Sequence, residues 1–339
     1  MRKNTSEVAS RWLQGAGVLS GSERTQKSIP DFIVYSSAPV KLQILVPGVT
    51  AVEGDVSNNG RTGDPDEMTA GLNYTATVNL TDPYWNKVIS LGSDTTVQIT
   101  ASAPYYNQPA SNYLEAGERL FTLAVLSSGS WTATSSDVDG VPPLYTADTS
   151  ASIPVISSGA VKLQVLLPGE TAVPGSGKTG TPSNRTAGLQ FTITVNGVDP
   201  NWNIDSNASQ QVNVVTTDLY DGTISGNNLQ NGFRTFNITN VTAGSVHKST
   251  ATDASGNPVL LADGYSAYWT VVASASVRLQ LLMPNQTAQP GSSAGKTGTP
   301  SAQYSNVPFK VTVNATDPYW NISMTGDNDT AVRLTTNDE

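Results

Sequence analysis

The chain has 339 residues, of which 37% are hydrophobic and 13% charged, with a net charge of −9 and a pI near 4.6. That balance excludes a nucleic-acid binder, which needs clustered Lys and Arg to displace counterions, and it works against anionic membrane surfaces. Cysteine is absent, so each domain must close on its own hydrophobic core rather than on disulfides. No window approaches the roughly 18 apolar residues of a membrane span. Ser, Thr, Asn, Gly and Val crowd the sequence, and long runs of Leu, Glu, Lys and Ala are missing, so strands and turns are favoured over helices.

One stretch occurs three times: "VKLQILVPG…LNYTATVNLTDPYWN" from Val40, "VKLQVLLPG…FTITVNGVDPNWN" from Val161, and "VRLQLLMPN…VPFKVTVNATDPYWN" from Val277. The copies recur about every 120 residues, too far apart for a solenoid repeat of about 20–50 residues and close to the roughly 100 of one β-sandwich. The expected organisation is a leader or remnant of a preceding module (1–37), a first module (38–158), a second (159–275), and the first half of a third (276–339).

In chain order, the leader carries Arg2 and Lys3 with no apolar stretch behind them, so it does not read as a secretion signal. Its only strand-like part, Ser28 to Pro39, matches Ser150 to Ala160 ahead of the second copy and suggests the last strand of a preceding module. In the first copy Leu42, Ile44 and Val46 alternate with Lys41, Gln43 and Leu45. The same face holds Leu163, Val165 and Leu167, then Leu279, Leu281 and Met283, and period two marks a half-buried strand.

Pro47-Gly48, Pro168-Gly169 and Pro284-Asn285 end that strand with turn chemistry. A second strand presents Tyr74, Ala76 and Val78, then Phe191, Ile193 and Val195, then Phe309, Val311 and Val313, and stops at Asp-Pro. Short strands are expected at Thr96–Thr100, Gln211–Thr216 and Ala331–Thr335. Gly117 to Gly140 aligns with Gly232 to Gly256, pairing Arg119 with Arg234 and Phe121 with Phe236. These read as two strands joined by a tight turn at Ser128-Gly129 or Ala243-Gly244, followed by a last strand that runs into the next module. About seven short strands per module is the pattern of an immunoglobulin-like sandwich, so the expected class is all-β, as beads on a string. The third copy stops before its second half and leaves its apolar face uncovered.

"VTVNATDPYWN" (Val311 to Asn321) with its two homologues, and "STATDASGNPV" (Ser249 to Val259), resemble tandem bacterial immunoglobulin-like domains of invasin- and intimin-type adhesins and large secreted surface proteins. The resemblance covers roughly residues 38–339. It implies a non-enzymatic extracellular repeat protein, a cell-surface stalk, adhesin or filament segment, whose partners are its own neighbouring modules and glycans or surface proteins. Such modules also serve as carbohydrate-binding accessories of secreted enzymes and as phage or virion decorations. The chain carries no recognisable membrane barrel, sortase signal, lectin tip or catalytic domain, and it reads as an internal piece of a longer polypeptide.

Few constellations suggest chemistry. "GSGKTG" (Gly175 to Gly180) and "AGKTG" (Ala294 to Gly298) look like phosphate loops, but Ala172 and Pro290 stand where the first Gly is needed, so a turn between strands is expected. Asp82 to Asn86, Asp199 to Asn203 and Asp317 to Asn321 each read Asp-Pro-x-Trp-Asn. Such a segment suits an Asx-type turn, with Asp82, Asn86, Asp199, Asn203, Asp317 and Asn321 as turn residues and the Trp folded over the end of the sandwich. The functional alternatives are glycan stacking on Trp85, Trp202 and Trp320, or calcium, although one Asp and one Asn fall short of its six or more oxygens. Asp327 and Asp329 in "GDNDT" are better calcium candidates, yet the other copies do not keep those acids. No other cofactor is expected. His247, the single histidine, aligns at or beside Trp131 in the middle of a strand and reads as structural rather than catalytic. The short joints at Ser157–Ala160 and Ala273–Ser276 have no Gly/Ser-rich run, so a rod is expected.

Overall fold

The structure is a computed structural model that describes residues 33–89, 95–222, 224–256, 260–324 and 331–336. Among the described residues there is no helix, and hence none long and apolar enough to cross a membrane.

Seven principal strands build the first sandwich: β1 (Lys41–Leu45), β2 (Tyr74–Thr81), β3 (Thr96–Ala101), β4 (Glu118–Val125), β5 (Gly129–Trp131), β6 (Ala133–Asp137) and β7 (Ile153–Ile156). One sheet has β2 at its centre, paired antiparallel to β1 (Ile44 opposite Val78) and to β4 (Ala76 opposite Phe121). The facing sheet pairs β3 with β6. In a third, small sheet β7 lies antiparallel to β5 and parallel to Met68–Thr69. Alternation sends Leu42, Ile44, Val78, Val97, Ile99 and Phe121 into one buried cluster, with Tyr74 packed at its margin. Each such side chain contributes about 1.5–3 kcal/mol when withdrawn from water.

The second sandwich repeats the plan with β8 (Lys162–Leu166), β9 (Phe191–Val198), β10 (Gln211–Thr216), β11 (Phe233–Ile238), β12 (Gly244–His247), β13 (Ser249–Asp253) and β14 (Trp269–Val272). Its sheets run β8-β9-β11 and β10-β13, with β14 between β12 and the parallel pair Arg185–Thr186. Leu163, Val165, Val195 and Phe236 are buried in its core, with Phe191 set edge-on against Trp269. Tandem immunoglobulin-like sandwiches are therefore the architecture, resting on strand order and register.

The structure departs from the sequence reading in four places. The turns at Ser128-Gly129 and Ala243-Gly244 do not join hairpins, because β4 and β5, like β11 and β12, belong to different sheets. A connection that crosses between sheets carries the same turn residues as a hairpin, so composition does not separate the two. The "GKTG" stretch of the second copy is itself a strand, Gly177–Gly180, paired with Glu170–Val173. Residues 331–336 form no strand and are exposed. In the third copy β15 (Arg278–Leu282) pairs with β16 (Thr312–Thr316), so the strand opens three residues beyond Phe309. Leu279, Leu281, Phe309 and Val313 are all exposed there, the face expected to be uncovered.

Candidate functional site at the joints between sandwiches

Each Asp-Pro-x-Trp-Asn segment closes on its own aspartate. In the second copy Asp199 Oδ1 accepts the amides of Asn201 (2.8 Å) and Asn203 (2.9 Å), Oδ2 accepts the Asn203 side-chain amide (2.9 Å), and the Trp202 N–H donates to the Asp199 carbonyl (3.1 Å). The first and third copies repeat these bonds on Asp82 and Asp317. Trp85, Trp202 and Trp320 all sit at φ 67°, a left-handed conformation that costs a bulky residue about 1–2 kcal/mol. Packing on both sides of the ring offsets that cost. Lys41, Lys162 and Arg278 lie over the rings at 3.5, 3.5 and 4.5 Å from the centroids. On another side lie Gly60, Gly177 and Gly295, where a Cβ would come within 2.3, 3.8 and 2.4 Å of the tryptophan.

Those glycines open the Gly-Lys-Thr or Gly-Arg-Thr stretch that looks like a phosphate loop. At Gly60 and Gly295 the tryptophan leaves no room for a Cβ, and at Gly177 the backbone φ of 127° favours glycine. The carbonyl of each accepts a buried glutamine: Gln43, Gln164 and Gln280 each donate at 2.8 Å. The glutamine in turn accepts from the asparagine opposite it across the strand pair, Asn79, Asn196 or Asn314. The following lysine does similar local work, since Lys178 reaches the Val165 carbonyl and Glu170, and Lys296 reaches the Leu281 carbonyl. Sequence reasoning placed Gln43 on an outward face, whereas all three glutamines are buried. The sequence carries the glutamine in all three copies, between a cation (Lys41, Lys162, Arg278) and a leucine (Leu45, Leu166, Leu282) on the same face.

The clamp reaches beyond its own sandwich. Asn203 Nδ2 donates to the Leu126 carbonyl (2.8 Å) and its Oδ1 accepts the Ser128 amide (2.7 Å), both in the first sandwich. Asn321 does the same to Val241 O (2.8 Å) and Ala243 N (2.7 Å) in the second. Meanwhile Asp199 Oδ2 takes the amide and hydroxyl of Ser158 in the connecting segment (3.1 and 3.4 Å), and Asp317 takes those of Ser274 (3.0 and 3.4 Å). One turn thus holds the linker with its aspartate and the preceding sandwich with its asparagine. The residue between Pro and Trp seats on a left-handed glycine of that sandwich, Asn201 against Gly71 and Tyr319 against Gly188. Tyr319 joins the margin of the second core.

Charge is managed locally. Burial alone would raise the Asp82 carboxyl, but donors from Asn86, Ser37 and Tyr84 outweigh it and hold the group below the ordinary range. Burial beside the tryptophans lowers the Lys41 and Lys162 ammonium groups, against the pull of Asp82 and Asp148 on the first and Asp199 on the second. Asp148 is pushed up by burial despite the Ile44 amide and its ion pair with Arg61.

The candidate residues are therefore gathered into three copies of one turn rather than one cleft. Trp85 is buried, and Trp202 and Trp320 are half-buried, each with a cation on a ring face. Both oxygens of Asp82, Asp199 and Asp317 accept N–H donors. Asp327 and Asp329 lie outside the described residues, among which no three His, Cys, Asp or Glu gather as a metal-ligand group. His247 is buried beside Trp269, opposite it across the β12–β14 pair.

No protein-family model matches the chain, and no curated protein sequence matches it. Solved structures similar to the chain include invasin, described as a bacterial integrin-binding protein (16% identity, 72% of this chain, 42% of that one, TM-score 0.26). The Escherichia coli adhesin FdeC is another (15% identity, 87% and 79% covered, TM-score 0.32). Beta-glucuronidase 3 of Bacteroides uniformis also appears (12% identity, 68% and 25% covered, TM-score 0.24). The chain spans a quarter of that glucuronidase and 42% of invasin. At these scores whole chains do not superpose, and strand order alone carries the fold assignment.

Proposed function

We propose that the chain is a non-enzymatic segment of an extracellular stalk, adhesin or surface filament, whose work is to hold sandwiches at fixed separation and orientation. The observation that supports this reading is the joint. Linker and preceding sandwich are both bonded to one five-residue turn, and the arrangement recurs at the second joint with the same distances to within 0.1 Å. A chain selected for free hinging has no use for a buried aspartate that pins its linker. Small-angle scattering of the whole chain tests it: an elongated particle with one well-defined maximum dimension is expected. A compact globule, or an ensemble of hinged shapes, would overturn the reading.

The second reading, a carbohydrate-binding accessory of a secreted enzyme, draws on the three tryptophans. Glycan-array binding lost in Trp202→Ala, with the melt of the second sandwich unchanged, would support it over the stalk. A phage or virion decoration would use the same joints and differs only in what the sandwiches are attached to.

A further inference from the structure

We infer that the head of the first sandwich is a docking face for the tail of another sandwich of this design, one whose last strand is the segment Ile33–Tyr35. Three heads are built alike, and two are docked. On the third, Ser37 donates its amide and hydroxyl to Asp82 Oδ2 at 3.0 and 3.2 Å, as Ser158 and Ser274 do at the joints. The chain therefore enters this head in the docked pose. Asn86 is oriented by the same bond to Asp82 (3.0 Å). Its Oδ1, which in Asn203 and Asn321 receives an amide of the preceding sandwich, has no partner among the described residues.

Three further features stand unfilled around it. Tyr84 is 60% exposed, whereas its counterpart Tyr319 lies against Gly188 and the second core. Ile33, Val34 and Tyr35 are 73, 75 and 81% exposed. They align with Pro154-Val155-Ile156 and Thr270-Val271-Val272, where the central valine is buried between one antiparallel and one parallel strand. Together these specify the occupant: two strands to flank Val34, a carbonyl and an amide two residues apart to meet Asn86, and a left-handed glycine under Tyr84. Side-chain-free backbone at that glycine matters, because a Cβ on Gly188 would lie 2.2 Å from the Tyr319 ring. The third copy does not offer such a tail, since Asn306 occupies the glycine position at φ 61°.

The test repeats residues 38–157 ahead of Ser37 in the full chain, so that a known tail meets the open head. Amide hydrogen exchange is then read at Ser128 of the added copy. Asn86→Ala should lower its protection about tenfold, the size of one net hydrogen bond. In the 339-residue chain, the same substitution should leave both existing joints unchanged. Equal protection with and without Asn86, while Asn203→Ala opens its own joint in the same molecule, would overturn the inference. Should the added copy fail to protect its core amides, Asn201→Tyr in the unextended chain decides instead. That change puts the first head's Asp-Pro-Tyr-Trp-Asn onto the second head. Retained Ser128 protection supports the docking face; a tenfold loss shows that this head does not fit a tail of this design.

Discussion

The two joints are closed by the same bond pair, Asn203 on Leu126 and Ser128 in one and Asn321 on Val241 and Ala243 in the other, yet the loops that receive it are held in unrelated ways. At the first joint the Trp131 indole N–H donates to the Ser127 carbonyl at 2.8 Å. At the second, His247 stands in the Trp131 position and the tryptophan has moved to the opposite strand as Trp269, its N–H without a partner among the described residues. The register there puts Asp218 where the first sandwich has buried Ala103. Asp218 takes over the loop, accepting the amides of Val241 (2.7 Å) and Thr242 (2.9 Å) and the Thr242 hydroxyl (2.7 Å). A clamp addressed to backbone groups tolerates such exchange, because any device that presents a carbonyl and an amide at the right spacing serves it.

The largest effect separates both joints from a loop that merely decorates them. Asp199→Ala and Asp317→Ala each orphan several buried donors, and at about 1–3 kcal/mol per unsatisfied group each should cost at least about 3 kcal/mol in urea denaturation. A loss below about 1 kcal/mol would mean that the aspartate is dispensable. Next, Asn203→Leu and Asn321→Leu should each cost roughly 2–3 kcal/mol by leaving a carbonyl and an amide bare as well as losing the bond to the aspartate, while Asn86→Leu on the open head, which loses only its bond to Asp82, should cost about 1 kcal/mol. Similar losses at all three positions would show that the asparagine acts within its own turn only.

A smaller change distinguishes the two loop supports. Trp131→Phe keeps a ring but removes the donor, so Ser128 exchange at the first joint should quicken with a cost of about 1 kcal/mol, and Ala243 at the second should not respond. The smallest is acid sensitivity. Burial would raise Asp218, but Thr242, Val241 and Tyr220 donors outweigh it and depress its carboxyl. A depressed carboxyl contributes stability that is present above its unfolded pKa and lost as pH falls through the folded one. The second joint should therefore loosen as pH falls through the folded value of Asp218. Neighbouring Asp221 acts oppositely: burial raises it, aided by Asp218 and countered by Thr216 and His247. Its contribution is present at low pH and lost as pH rises. Asp218→Asn isolates the first group, and exchange at Ala243 that keeps its pH slope in that variant would assign the effect elsewhere.

Strand positions and core faces were legible because period-two alternation is local: Gln211–Thr216 was placed to the residue, and Leu42, Val78 and Phe236 are buried as expected. The Asp-Pro-x-Trp-Asn turn was legible as a turn, since Asp and Pro carry their conformational preferences with them. What its asparagine binds was not, because Leu126 and Val241 lie far away in sequence and contribute backbone atoms that leave no mark on residue type. The exchange of Trp131 for Asp218 is hidden for a related reason: it becomes visible only once β3 and β10 are set in register against β6 and β13. Gln43 was misplaced because alternation assigns a face to solvent without knowing that a glycine and a tryptophan will cover it.

Because each joint repeats one contact between a tail and a head, it repeats one rotation and one translation, and repeated application of a single such operation generates a screw. Where that rotation is not zero, equivalent surface points on successive sandwiches wind about the axis instead of lying along one side. A patch recurring on every sandwich would meet a flat target only at intervals set by the twist, so lengthening the chain adds reach faster than it adds simultaneous contacts.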